Sequence, residues 1–455
     1  MQREKLGSRL GFILISAGCA IGIGNVWKFP YMVGKNGGGL FVLVYLLFLL
    51  ILGLPIMTME FSVGRASQKS PIKAFQQLEQ PGHKWHYHGI GALIGNYILM
   101  MFYTTVSGWI LYYFYRTATG AFVGLDSAGV SQAHEAMLAD PLTMSICMII
   151  VVVFGFLVCS FGLKNGLERV TKIMMIALLV IMVILAVNSV FMEGSKEGLT
   201  FYLMPNINNA KEVGIFGLLV DAMSQSFFTL SLGIGSMAIF GSYIGKERSL
   251  FGESVNIAIL DTFVAVVSGF IIFPACFTYG VKPDAGPGLI FKTLPNIFNN
   301  MPYGRFWGSL FFVFLTFAAL STVLAIFENI ISCWMDFTKL SRKKIALINA
   351  PIVIALSLPC VFGFNIWSGF TPLGSGSNIL DFEDFIVSNI LLPVGSIVYV
   401  VFCTSRYGWT WDKFKAEANT GKGLKIHNWM RVYITYFIPL IVLFMFVWGV
   451  VSKFI

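Results

Sequence analysis

Charge is scarce in this chain. Asp, Glu, Lys and Arg make up 12% of its 455 residues, about half the ~25% usual for soluble domains. That excludes a disordered or solvated polar chain, and it argues against reading the length as a string of soluble domains. Only five histidines occur, and no Cys-x-x-Cys pair or Cys/His cluster is present, so the spacings of zinc and redox sites are missing. The seven cysteines (Cys19, Cys147, Cys159, Cys276, Cys333, Cys360 and Cys403) are odd in number and lie in or beside apolar stretches. They read as small buried hydrophobes rather than as staples or ligands. The chain has no Asn-x-Ser/Thr acceptor, which fits a prokaryotic source. It also lacks the pattern of a cleavable signal peptide: MQREKLGSRLG is charged and runs directly into a long apolar stretch.

Hydrophobic residues are abundant. They supply 56% of the chain, with 43 Phe and 20 Met, and the mean hydropathy is +0.78. A bilayer core about 30 Å thick is crossed by about 20 apolar residues in a helix. Eleven stretches qualify, near 10–33, 40–63, 89–115, 142–161, 170–191, 215–244, 255–277, 306–334, 345–362, 385–403 and 432–451. The reading is an all-α membrane protein with one transmembrane domain over 1–455. With the N-terminus placed in the cytoplasm, 22 of the 31 Lys and Arg fall in cytoplasmic segments and 9 in outer ones. The positive-inside rule therefore predicts N-terminus in and, with an odd span count, C-terminus out. The net charge of +9 is thus a topology signal and calls for no nucleic acid.

Carboxylates within spans are few: Glu60, Asp261 and Glu328, with Asp221 near the start of span six. No Lys or Arg lies mid-span to pair with them. Each is expensive in a bilayer. For Glu60 the alternatives are a functional carboxylate and a carboxyl hydrogen-bonded to exposed backbone. For Asp261 the expectation is neutralisation by a bound cation.

Glycine is the second clue. Span one reads SAGCAIGIGNVWKFP and span six reads QSFFTLSLGIGSM, and their Gly-x-Gly pairs lie 211 residues apart. Close helix packing accounts for many such glycines. Here each pair adjoins polar residues (Asn25; Gln225, Thr229 and Ser231) and sits at matching points of two five-span halves, 10–191 and 215–403, with 432–451 as an extra helix. Gly-interrupted spans in corresponding positions point to an inverted-repeat transporter. Unwinding frees backbone groups that only an ion, a substrate or enclosed water can satisfy at membrane depth.

The motifs GNVWKFPY (24–31), NGGG (36–39), PIMTMEFSVGR (55–65) and QSFFTLSLGIG (225–235) resemble the neurotransmitter:sodium symporters, above all the LeuT-like bacterial amino-acid transporters and their eleven-span members for tyrosine and other hydrophobic amino acids. The resemblance implies a LeuT-type 5+5 inverted repeat with discontinuous helices one and six, and eleven transmembrane helices. It implies a first Na⁺ site at Ala20, Asn25, Thr229 and Asp261, completed by the substrate carboxylate. A second is implied at Gly18, Ile21, Ala318, Ser321 and Thr322. All-oxygen ligation suits a hard cation. The substrate would contact Cys19, Ala20, Gly22, Ile23, Gly24, Leu99, Tyr103, Phe228, Thr229, Ser231, Ile234, Thr322 and Ile326, with the Tyr103 hydroxyl donating to its carboxylate. Gly22 stands where monoamine carriers have an Asp, leaving room for a substrate that brings its own carboxylate. Lys28 and Asp384 would form the outer ion pair under an aromatic lid of Tyr103 and Phe228. Arg3 and Asp336 would form the inner pair near Tyr243 and Glu328.

Some positions depart from the family pattern. Lys28 replaces the usual Arg and loses its bidentate fork. Asp261 and Ala265 replace the Asn and Ser of chloride-dependent relatives, while Tyr45, Gln225 and Thr229 are kept, so the resemblance implies chloride independence. Ile176 replaces a proline that helps span five unwind. The function expected is Na⁺-coupled symport of hydrophobic L-amino acids, aromatic ones among the candidates, by alternating access in a bacterial cytoplasmic membrane. Na⁺, the amino acid and membrane lipid are its partners, and neither an organic cofactor nor enzymatic chemistry is involved. The alternatives are a proton-coupled carrier of the same fold, using Asp261 or Glu60, and a transport-inactive sensor or channel. The HKWHYH stretch (83–88) reads as interfacial rather than metal-binding.

Overall fold

The computed structural model describes residues 4–281 and 288–454. Among these, nine helices are long and apolar enough to cross a membrane. They are Gly39–Ser67, Tyr87–Ala118, Pro141–Ser160, Leu163–Val190, Leu250–Thr278, Gly304–Thr338, Arg342–Phe362, Ile379–Thr404 and Met430–Lys453. These are spans two to five and seven to eleven. A tenth, span one, is a pair of helices, Arg9–Ala20 and Gly24–Lys35, bent by 54° at the break. Span six is likewise in pieces. Its outer part, Ile215–Thr229, is too short to cross alone, and its inner part is Ser236–Gly241.

Both breaks follow from local chemistry. Span one starts under a cap, the Ser8 hydroxyl accepting from the Gly11 N–H at 3.0 Å. The helix stops where Ile21 turns to an extended ψ of 97°. In span six, Ser231, Gly233 and Gly235 all take positive φ, of 50°, 94° and 76°. Gly233 is the position that most needs to be glycine: its φ is left-handed, and a Cβ there would run into the Leu392 carbonyl. No break appears in span five. It opens with a π-helical turn, Leu163–Glu168, and continues as α-helix to Val190.

Span eight is the central post, with 72% of its apolar window buried against 22% for span eleven. The first faces protein on almost every side, whereas the second faces mostly lipid, and in lipid close packing rather than apolarity selects partners. Spans nine and ten begin earlier than hydropathy suggested, at Arg342 and Ile379 rather than 345 and 385. Polar groups that the fold neutralises account for both. Arg342 finds carboxylates, and Asn378 forms a capping box with Asp381.

Candidate functional site

The broken helices cross span three, span eight and span ten around two stacked cavities. The inner one has a volume of about 20 Å³, room for the centre of about one water molecule. Its walls are Cys19, Ala20, Gly22 and Gly24 from span one, Leu99 and Tyr103 from span three, and Phe228, Ser231 and Ile234 from span six. Thr322 of span eight and Val387 and Leu392 of span ten complete it. The outer chamber holds about 250 Å³ and is lined by Trp27, Lys28, Tyr31, Phe102, Asp381 and Asp384, among others. Gly24, Tyr103 and Phe228 belong to both cavities, so the two rings form the partition between them.

Most of the expected substrate residues meet in the inner cavity. Ile23 lies on the outer chamber instead. Thr229 and Ile326 are absent from the wall and are buried elsewhere. Ile326 stands one helical turn below Thr322 and packs within the core, while span ten supplies the apolar wall expected from it. The Tyr103 hydroxyl accepts from the Ile23 N–H at 3.1 Å, which leaves its own O–H to donate. Gly22 is confined on the cavity side: a Cβ there would strike the Tyr103 hydroxyl and approach the Thr322 Oγ1 to 2.6 Å.

Two oxygen-rich clusters flank the break in span one. In the first, Asn25 Nδ2 donates to Asp261 Oδ1 at 2.8 Å and to its carbonyl at 3.2 Å. The Thr229 hydroxyl donates to the same carboxylate at 3.1 and 3.3 Å. All three side chains are buried, and among the described residues Asp261 makes no ion pair. Ala20 lies on the adjoining cavity wall. In the second cluster, Ser321 Oγ reaches the Ile21 carbonyl at 3.3 Å and its own Ala318 carbonyl at 2.9 Å. Thr322 Oγ1 reaches the carbonyls of Gly18, Cys19 and Ile21 at 3.3, 3.4 and 3.5 Å. No group of three or more His, Cys, Asp or Glu that could hold a metal ion occurs among the described residues.

At the outer end, Lys28 Nζ lies 3.5 Å from Asp384 Oδ2 and 3.4 Å from Ser388 Oγ. It also sits 3.8 Å over the Phe228 ring, a cation–π contact. Its side chain is 22% exposed and that of Asp384 35%.

The inner end is built more tightly, and it corrects the reading that mid-span carboxylates lack basic partners. Glu328 is fully buried and accepts from both terminal guanidinium nitrogens of Arg342, at 2.5 and 3.0 Å. Tyr243 donates to Glu328 at 2.5 Å and lies 2.5 Å from Ser332. Arg342 also reaches Glu4 at 3.2 Å. The N-terminal segment is tied to the same end: the Gly7 N–H and the Ser8 hydroxyl donate to Glu168, and Arg9 pairs with Glu253. Asp336 accepts from the Ser70 N–H at 2.7 Å. Arg3 lies outside the described residues.

Sequence reasoning named only part of what holds span six. The Gly233 N–H donates to Glu60 at 2.5 Å, so Glu60 caps freed backbone, one of the two alternatives for it. The Ile234 carbonyl accepts from Asn96 at 2.9 Å and from Asn329 at 3.4 Å. Asp221 pairs with Lys35 at 2.8 Å. Asn96 and Asn329 are buried amides in apolar helices, a visible signal that was passed over. In the HKWHYH stretch, His86 lies 2.6 Å from Glu79 and Trp85 donates to the Tyr407 carbonyl at 2.8 Å.

Comparison with known proteins agrees with this geometry. The model of the sodium:neurotransmitter symporter family matches residues 3–125 and 127–454. The chain is 30% identical over 441 residues to YhdH, an uncharacterised sodium-dependent transporter of Bacillus subtilis (strain 168), with 96% of each chain covered. It is 30% identical over 460 residues to an uncharacterised sodium-dependent transporter of Haemophilus influenzae, with 98% of each covered. The crystal structure of MhsT in complex with L-phenylalanine matches with a TM-score of 0.88 at 35% identity, covering 98% of this chain and 100% of that one. The fold is therefore the LeuT type, all-α and membrane-spanning, and the protein is a sodium-dependent transporter rather than an enzyme. Its interrupted helices, its motifs and its likeness along the whole chain place it in the sodium:neurotransmitter symporter family.

Proposed function

We propose that the chain couples the Na⁺ gradient to uptake of hydrophobic L-amino acids, aromatic ones included, and needs no chloride. The observation that carries this reading is the confinement at Gly22. The bare Cα, the Tyr103 hydroxyl and the Thr322 hydroxyl converge at one spot of the inner cavity, a seat for a carboxylate. Leu99, Phe228, Ile234, Val387 and Leu392 give the rest of the cavity an apolar wall, which selects a side chain by burial. That MhsT was crystallised with L-phenylalanine supports the same class of substrate here.

Two Na⁺ ions are the co-substrates. The first is held by Ala20, Asn25, Thr229 and Asp261 together with the substrate carboxylate. The second is held by Gly18, Ile21, Ala318, Ser321 and Thr322. Sharing a ligand couples the first ion to the substrate: each favours the state that binds the other. Inward movement of each charge gains about 2.3 kcal/mol per 100 mV of membrane potential. The fixed Asp261 carboxylate supplies the negative charge that chloride would bring, and the Ala265 methyl offers no hydroxyl to hold the anion. Spans one, two, six and seven rock against the rest, between an outer gate at Lys28 and Asp384 and an inner gate at Tyr243, Glu328, Arg342 and Asp336. The concentration of Lys and Arg on one side supports an N-terminus in the cytoplasm and a C-terminus outside, in a bacterial cytoplasmic membrane.

Purified protein in liposomes tests the proposal. A labelled hydrophobic amino acid should accumulate under an inward Na⁺ gradient and not under K⁺, and equal uptake in K⁺ would overturn Na⁺ coupling. Replacing chloride by gluconate should leave the rate unchanged. Asp261→Asn should abolish uptake or make it chloride-responsive. A competition panel of twenty amino acids ranks the substrates.

A further inference from the structure

The outer segment of span ten carries three carboxylates within four residues, Asp381, Glu383 and Asp384. Leu380, Asp381 and Asp384 face the outer chamber, and their spacing is that of one helix face. Glu383, two residues beyond Asp381 and so about 200° round the helix, is turned into the protein and is 3% exposed. Neither of its carboxylate oxygens has a hydrogen-bond partner of ordinary geometry among the described residues. Its polar neighbour is the buried thiol of Cys360 on span nine, which in turn neighbours Thr105 on span three. A thiol is a weak donor. The charged groups around the segment are Asp381 and Asp384 on span ten itself, Lys28 of span one on Asp384, and Lys453 of span eleven towards Asp381. Among the described residues none of these cations pairs with Glu383.

A buried carboxylate with no partner is sustainable as the neutral acid and costly as the anion. The segment that carries it also ends at an irregularity. Directly after Phe385 the helix widens into a π-helical turn, Ile386–Leu391, and such turns are frequent at functional sites. Asp384, the residue next to Glu383, makes the contact to Lys28.

We propose that Glu383 is a proton-binding site that latches the outer segment of span ten. The carboxyl keeps its proton while the segment is seated against spans three and nine. When the Lys28–Asp384 contact parts and the segment moves, Glu383 meets water from the outer chamber. The O–H bond then breaks, the electron pair stays on the carboxylate and the proton leaves on water. External protons thus hold the outer gate shut, and external alkali loosens it. This rests on the reading of Lys28 and Asp384 as the outer gate.

The test is the rate at which labelled amino acid dissociates to the outside from Na⁺-loaded protein in liposomes, followed as external pH is varied at fixed internal pH. The wild-type rate should rise several-fold from acid to alkaline pH, bounded by about tenfold per pH unit for one linked proton. Glu383→Gln, which keeps the shape of the acid form, should be slow and flat with pH. Retention of the wild-type pH profile in Glu383→Gln would overturn the proposal. So would a wild-type rate that does not change with pH, an outcome that needs no variant to fold. Asp384→Asn tests the gate separately. It should speed dissociation at every pH, and if it leaves the rate untouched, the gate reading fails whatever Glu383 does.

Discussion

In span six the freed backbone groups are taken up by side chains that the protein never gives away. The Gly233 N–H goes to Glu60 at 2.5 Å, and the Ile234 carbonyl takes an amide from Asn96 at 2.9 Å. In span one the carbonyls of Gly18, Cys19 and Ile21 face the hydroxyls of Ser231, Ser321 and Thr322 at 3.3–3.5 Å. These contacts are long for O–H···O bonds, and every group involved has lone pairs to turn towards a cation. One interruption is a finished piece of architecture. The other leaves its oxygens in loose contact, as the proposed second Na⁺ site requires, so on that proposal the same backbone irregularity serves rigidity in one half and binding in the other.

Separating stability from ion affinity can break this contrast. The largest effect is expected for Glu60→Leu, which leaves the Gly233 N–H buried without an acceptor, at a cost of about 1–3 kcal/mol. Its thermal denaturation midpoint in detergent should fall by the same amount in Na⁺ and in K⁺. A loss seen in Na⁺ alone would put Glu60 on the ion's side of the ledger of contacts. Next comes the double substitution Ser321→Ala with Thr322→Ala. Its midpoint in K⁺ should stay close to wild type, while the Na⁺ concentration for half-maximal stabilisation rises about tenfold or more, equivalent to about 1.4 kcal/mol. The smallest effect belongs to Lys28→Ala, which frees the outer half of span one from Asp384 of span ten and Phe228 of span six. Partly exposed pairs contribute about 0–1 kcal/mol, so the midpoint should barely move, and substrate dissociation to the outside should quicken. An unchanged dissociation rate would show that the two broken spans are held together without it.

The positions of both interruptions were legible in the sequence, because glycine beside polar residues in an apolar run has few uses. So was Asp261 as an acidic residue set apart in an apolar run, which the fold buries and joins to Asn25 and Thr229. What holds span six was legible only as one of two alternatives for Glu60, and not at all for Asn96 and Asn329, since the three meet residues 173, 138 and 95 positions away. A period or a motif cannot register such separations. Arg342 was hidden for another reason. Hydropathy ends a span at its first cluster of basic residues, yet Glu328 draws this one inside. Val387 and Leu392 entered the cavity wall unannounced because an apolar residue in an apolar helix carries no mark of which side it faces.

The side chains that part the two cavities are two rings, Tyr103 and Phe228, whereas the opposite end holds a buried ion pair and a tethered N-terminal segment. Rings turn within about nanoseconds once unpacked, and segments held by several contacts part over about microseconds to milliseconds. On the proposed cycle, once the Lys28–Asp384 contact has parted and the outer segment of span ten has moved, only these rings stand in the way, so a bound molecule leaves by the way it came many times before it is delivered, and turnover is set by the opposite end.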